Sequence, residues 1–124
     1  EWIHRQKTLP LMEQNEALDA LQNPDFSRII YPTFEKAEAT RGTNGKIMNA
    51  IARGLPNFLG GSADLSPSNK TNLNDMGIFP KGRNIYFGIR EHAMASIVNA
   101  MALYGPLLPF SATFFVFSDY LKPA

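Results

Sequence analysis

The sequence predicts an α/β chain built around a parallel sheet. Three observations carry that expectation. Helix-like and strand-like segments alternate from Thr43 onward. The strand-like runs are short and apolar, as strands covered on both faces are. Each run also gives way to a polar cluster: Ser62-Ala63-Asp64, Arg90-Glu91, and Ser111 with Thr113. Ligands of parallel α/β sheets bind beyond the carboxyl ends of the strands, so these clusters are the first candidates for a site.

Taken in order, residues 1–30 are polar and irregular. Pro10-Leu11-Met12 opens a helix expected to run through Leu21, with Leu11, Leu18 and Leu21 on one stripe. Asn23-Pro24-Asp25 ends it. A short helix is expected from Thr33 to Ala39, and residues 1–38 together read as an inter-domain linker arm. The next helix runs from Thr43 to Arg53 with Ile47, Ala50 and Ile51 inward, and Gly54 ends it. Leu55 to Gly61 reads as a short buried strand entering a glycine-rich loop. Ser62 to Arg83 is expected to be loop, long enough to be functional or mobile. A strand from Asn84 to Ile89, a helix from Glu91 to Tyr104, a strand from Leu107 to Phe110 and a helix from Phe115 complete the pattern.

A chain of 124 residues suits one domain or part of one. With 44% apolar and 19% charged residues it can pack a core, and disorder is not expected. A net charge of +1 gives no excess to attract nucleic acid or an anionic membrane, so neither is expected as a partner. The absence of cysteine excludes disulfides and thiolate metal sites and suits a cytoplasmic location. No apolar run approaches the ~18 residues of a membrane span, and nothing reads as a signal peptide. The sequence opens at Glu1 and closes at Lys122-Pro123-Ala124, and is expected to be a fragment of a longer protein.

Glu91 stands where the helix dipole alone would favour an acidic residue, by about 0.3–1 kcal/mol. It also stands where a buried carboxylate would take or share a proton. Ile89, Met94, Ile97 and Val98 are expected to exclude water around it. Phe114, Phe117 and Tyr120 recur every third residue, which aligns them on one helical side. Such a stripe serves as core or as a slot for a flat ring. Gly60-Gly61-Ser62-Ala63-Asp64 reads as a turn open to close backbone approach, or as a plain turn with an Asx-type bond from Asp64. Ser66-Pro67-Ser68-Asn69 offers hydroxyls to a phosphate, or is simply loop. Arg41 precedes a helix whose N-terminus attracts anions, or is a solvated surface arginine.

Arg41 to Lys46 is not a nucleoside triphosphate loop. Two residues separate its glycines instead of four, and Ile47 follows the lysine where Ser or Thr is required. His4 and His92 have no partner at metal-ligand spacing, so no metal site is expected in this chain. No nucleophilic serine or cysteine arrangement is visible. Asn69-Lys70-Thr71 fits a glycosylation sequon, but no secretion signal accompanies it.

Four segments together resemble transketolase: Ala39-Thr40-Arg41, Gly60 through Asn69, Gly88-Ile89-Arg90-Glu91, and Thr113 through Tyr120. They occur in that family's order and at about its spacing, and the middle two are specific. The resemblance spans residues 39–124. It implies the N-terminal, truncated part of the parallel-sheet pyrimidine-binding domain, with residues 1–38 as the linker from the family's first domain. Deoxyxylulose-phosphate synthase and formaldehyde transketolase share the chemistry and stand as alternatives. The Ser62–Asn69 segment and the Arg90-Glu91 pair fit transketolase better. A non-catalytic interaction subunit keeping the fold is a third alternative, against which Glu91, Arg41 and Ser68 together argue. His92 stands where family members often have phenylalanine and is given no catalytic part.

The resemblance implies thiamine diphosphate as cofactor. Glu91 would be the catalytic carboxylate, bonded to a ring nitrogen of the cofactor's aminopyrimidine. Phe117, Phe114 and Tyr120 would surround that ring, with Asp64 near it. Arg41 and Ser68 would grip the phosphate of a sugar substrate. The implied reaction moves a two-carbon ketol unit from a ketose phosphate (xylulose 5-phosphate) to an aldose phosphate (ribose 5-phosphate), in the pentose phosphate pathway. Mg2+ or Ca2+ would be bound by a domain outside this chain, and a homodimer would hold the cofactor at its subunit interface. The isolated chain is expected to be inactive, with unpaired strand edges and exposed apolar surface.

Overall fold

The computed structural model describes Asp19 and residues 21–124. Most of the helix expected from Pro10 to Leu21 lies outside the described residues. Its last part is helical, and Asn23 closes on Asp19 through backbone and side chain, each at 2.7 Å. Asp25 then caps one 3-10 turn, Phe26–Arg28, accepting from the Ser27 hydroxyl (2.6 Å) and N–H (3.0 Å). Those two bonds hold its carboxyl below the ordinary carboxylate range.

The helix expected from Thr33 to Ala39 does not form; that segment is irregular, with a bend at residues 35–36. It has no apolar stripe to bury, and Phe34 stays exposed. Glu38 reaches forward instead, accepting from Lys46 Nζ (2.8 Å) and Thr43 Oγ1 (3.1 Å). The lysine bond keeps the Glu38 carboxyl below its ordinary range.

Helix α1, Thr40–Gly54, follows. Ala50 is buried as its spacing predicts, whereas Ile47 and Ile51 are only half-buried. The buried face is completed by Gly45, Met48, Asn49 and Ala52. The next strand starts later than Leu55, because the Leu55 N–H still closes on Ile51 O at 2.8 Å. Strands β1 (Phe58–Ser62), β2 (Asn84–Tyr86) and β3 (Leu108–Ala112) form one sheet in the order β2-β1-β3. Both pairings are parallel, as the alternating pattern predicts. The long segment between β1 and β2 is not all loop: Ser66–Asn69 forms a one-turn helix, α2. Helix α3, Glu91–Tyr104, connects β2 to β3, and a 3-10 helix, Phe115–Tyr120, follows β3.

Gly60 and Gly61 lie inside β1, not in a turn. A Cβ on Gly61 would sit 1.7 Å from the Ile85 carbonyl oxygen, and one on Gly60 2.0 Å from that of Phe110. The missing side chains are what let β2 and β3 close on the central strand. The loop is then pinned to β2 by Asn84. Its amide donates to Leu73 O (2.8 Å) and Gly77 O (2.9 Å) and accepts from Leu73 N–H (2.8 Å). Arg83 donates to Ala52 O (2.7 Å) and Leu55 O (2.8 Å), placing a cation on the carbonyls that end α1.

The core lies on both sides of the sheet. Met48, Ala52 and Leu73 pack with Phe58 and Phe110, whose rings stack at 5.0 Å. Ala63, Phe87 and Met94 form a second cluster beneath the carboxyl ends of the strands. Among the described residues no helix is long and apolar enough to cross a membrane.

Two glycine substitutions separate close approach from flexibility. Gly61→Ala is expected to destabilise by at least about 3 kcal/mol, because backbone cannot move aside without opening the β1–β2 pairing. Gly42→Ala, where the new Cβ would meet only the Glu38 side chain at 3.7 Å, is expected to be neutral or to stabilise by up to about 1 kcal/mol. Urea unfolding of the two variants checks both; equal effects would remove the steric role of Gly61.

Candidate functional site

Three chain segments leave the carboxyl edge of the sheet and build the site. After β2, the expected strand ends early at a turn, Phe87–Arg90, in which Gly88 takes a left-handed φ of 68°. The Arg90 N–H donates to Gly88 O at 2.8 Å, and its guanidinium folds back onto Phe87 O at 3.0 Å. This turn delivers Glu91 as the first residue of α3. Glu91 is 8% exposed, far below what a mere partner of the helix dipole requires. Ala63 lines the cleft with it, and Met94, one turn further along α3, is buried in a cluster with Ala63 and Phe87. Ile89 and Ile97 take no part, being 80% and 48% exposed: the Gly88 turn aims the first outward, and the second lies on the outer side of α3.

Thr113, one residue beyond β3, donates from Oγ1 to Glu91 Oε1 at 3.1 Å. Among the described residues Oε2 has no hydrogen-bond partner. Glu91 and the segment after β3 meet although β2 and β3 are not neighbours in the sheet. β1 lies between β2 and β3, and the contact closes at the edge where Ser62 ends β1.

A cleft of about 760 Å³ opens beside Glu91, with Asp64, Phe117 and Tyr120 among its walls. The spacing of three that aligned Phe114, Phe117 and Tyr120 matches the 3-10 helix found here, where positions i and i+3 eclipse. Their rings stack in series, Phe114 on Phe117 at 6.4 Å and Phe117 on Tyr120 at 6.5 Å. Asp64 takes a left-handed φ of 60°, which is uncommon for a residue with a side chain. It makes no Asx-type bond. The turn is held by Ser62 Oγ, which accepts from Leu65 N–H (3.1 Å) and from Asn69 Nδ2 (3.2 Å). Asn69 is thereby buried, so its sequon is not presented to solvent. His92 is exposed at the rim of the same cleft.

A second cleft, of about 500 Å³, adjoins the first. Arg41 lies there, exposed in the first turn of α1, with Asn44, Thr71 and Phe114. Ala39 gives that helix no side-chain cap, and Arg41 makes no ion pair among the described residues. Thr71 Oγ1 is buried without a hydrogen-bond partner among them. Thr113 and Phe114 line the second cleft and touch residues of the first, Thr113 bonding Glu91 and Phe114 stacking on Phe117.

The sequence-predicted residues thus fall into two groups. Asp64, Glu91, Phe117 and Tyr120 share the first cleft, and Arg41 and Phe114 the second. Ser68 is exposed on α2 and lines neither. Sequence reasoning missed the parts played by Thr113, Ser62 and Asn69. The available signal was their position just beyond strand ends; the strand order that pairs Thr113 with Glu91 was not readable. Among the described residues no cluster of three or more acidic or histidine side chains could hold a metal ion. The arrangement suits a flat ring bearing a nitrogen, with a half-engaged carboxylate at its edge and aromatic rings beside it.

The transketolase pyrimidine-binding domain matches this chain over residues 36–124. The transketolase of Staphylococcus aureus (strain MW2) is 52% identical over 99 residues, covering 75% of this chain and 15% of that protein. Among solved structures, the transketolase of Campylobacter jejuni subsp. jejuni NCTC 11168 superposes with a TM-score of 0.86 at 63% identity, over 89% of this chain and 18% of that one. A Pichia stipitis transketolase in complex with sedoheptulose-7-phosphate gives 0.82 at 30% identity, over 98% of this chain and 20% of that one. The chain therefore spans about 15% of the length of the curated relatives it matches. With the match over residues 36–124 and the shared α/β fold, the chain belongs to the transketolase pyrimidine-binding domain family.

Proposed function

We propose that the protein carrying this chain is a thiamine diphosphate-dependent transketolase, and that residues 39–124 hold the pyrimidine end of the cofactor. The observation that carries this reading is Glu91, buried, bonded at Oε1, open at Oε2, and set beside Phe117 and Tyr120. An oxygen without a protein donor suits a ring nitrogen that carries or shares a proton. Stacked rings suit its flat face, at about 0.5–1.5 kcal/mol beyond burial. When bound, the cofactor supplies the nucleophilic carbon and the electron sink for two-carbon transfer.

The chain's own residues then bind, orient and control a proton. Glu91 holds or accepts the proton at the ring nitrogen. Phe117 and Tyr120 fix the plane of the ring, with Phe114 stacked behind them. The buried cluster of Ala63 with Phe87 and Met94, which flank Glu91 along the chain, supports a dry rear to its carboxylate. Asp64 lines the same cleft and lies near the ring.

Arg41 and Ser68 are assigned to the phosphate of the sugar. For Arg41 the support is an uncapped helix N-terminus that favours anions, a guanidinium fork, and the unpartnered Thr71 hydroxyl in the same cleft. For Ser68 it is the resemblance of its segment. The sugar phosphate in the Pichia stipitis complex supports the substrate class. The reading takes a ketol unit from xylulose 5-phosphate to ribose 5-phosphate in the pentose phosphate pathway of the cytoplasm. It includes a homodimer with the cofactor at the interface, a divalent ion held by another domain, and residues 1–38 as the linker arm.

Two substitutions in the intact protein test this reading. Glu91→Ala is expected to lower the rate of ketol transfer by roughly 10²–10⁴-fold at saturating thiamine diphosphate and Mg2+. A rate within threefold of wild type would remove Glu91 from the chemistry. Arg41→Ala is expected to raise KM for phosphorylated acceptors about tenfold or more, the loss of a charge-assisted pair, with little change for unphosphorylated ones. Steady-state kinetics with both acceptor types decides, and equal changes would rule out the phosphate role.

A further inference from the structure

Glu91 is anchored at its backbone by α3, but its carboxylate turns about a broad terminal torsion. Among the described residues only Thr113 engages it, from Oγ1 to Oε1 at 3.1 Å. That donor is itself well fixed. Threonine is β-branched and stiff at χ1. The register of β3 on β1 runs from Phe58↔Leu108 to Ser62↔Ala112, and the Ala63 N–H extends the ladder by donating to Ala112 O at 3.1 Å. Thr113 therefore follows directly on the last backbone bond of the sheet.

We propose that Thr113 is a positioning residue for Glu91. Its hydroxyl holds Oε1 and so reserves Oε2, in the plane the sheet dictates, for the ring nitrogen of the bound pyrimidine. This rests on the cofactor reading above and adds to it a specific donor. A hydroxyl has one proton to give, so the bond to Oε1 uses its whole donor capacity. Thr113 also lines the Arg41 cleft, which makes it the only side chain that bonds Glu91 while bordering the second cleft, among the described residues. Loss of the hydroxyl leaves the carboxylate free to turn, and binding then has to fix it.

The test is a calorimetric titration of the intact protein with Mg2+ and two probes. One is thiamine diphosphate. The other is its analogue with C–H in place of the pyrimidine nitrogen that faces Glu91. Thr113→Val, and Thr113→Ala as a second hydroxyl-free variant, are expected to weaken thiamine diphosphate binding about three- to tenfold, the cost of immobilising one freed side chain on binding. Both should change binding of the analogue by less than twofold, and Thr113→Ser should restore the wild-type affinity. Equal weakening of both probes would make Thr113 a merely structural residue and overturn the proposal. Unchanged or tighter binding of thiamine diphosphate by the two hydroxyl-free variants would overturn it as well. If wild type binds the two probes equally, or Glu91→Ala leaves thiamine diphosphate binding intact, the cofactor reading itself falls, and the proposal with it.

Discussion

Two backbone contacts set the geometry on which the site depends. At Gly60 and Gly61 the outer strands come so near β1 that no side chain fits, and this closeness holds three parallel strands at one level. Glu91 follows one outer strand and Thr113 the other. Their 3.1 Å bond spans the end of the central strand, so it exists only while both flanking pairings are closed. The glycines touch no ligand cleft, yet they fix how far apart its two walls stand.

The same edge supports two clefts of different character. The first is built around a buried carboxylate and aromatic rings, and the second around an exposed arginine at a helix start. Thr113 and Phe114 line the second and contact Glu91 and Phe117 of the first. Burial restricts where the charge or proton of the first can go, while exposure leaves the charge of the second in reach of solutes.

Much of this is legible in the sequence, for physical reasons. Helix α3 can be read to its observed ends because an acidic first residue and a following glycine mark them. The three strands can be read because a short apolar run between polar clusters is what a strand covered on both faces requires, though all their ends but the start of β2 shift by one to three residues. Glu91 stands out as a carboxylate beside apolar neighbours. What escapes is whatever depends on strand order. Gly60 and Gly61 look like a turn until β1 is known to be central. Thr113 looks like loop until β3 is known to flank β1 on the side opposite β2. The helix expected at Thr33–Ala39 fails because nothing buries it, which local propensity does not report.

Asn84 carries an implication for how such a chain can change over generations. Its amide spends two donors and one acceptor on backbone groups of the loop. Aspartate would set a carboxylate against two carbonyls, leucine would leave the Leu73 N–H unpaired, and glutamine would carry the amide one methylene too far. The position has no conservative neighbour in sequence space. Arg41 and Ser68 sit on the surface and are free of such demands. Exposed positions such as these can therefore drift while the frame beneath stays locked, since surface and scaffold are written at different residues.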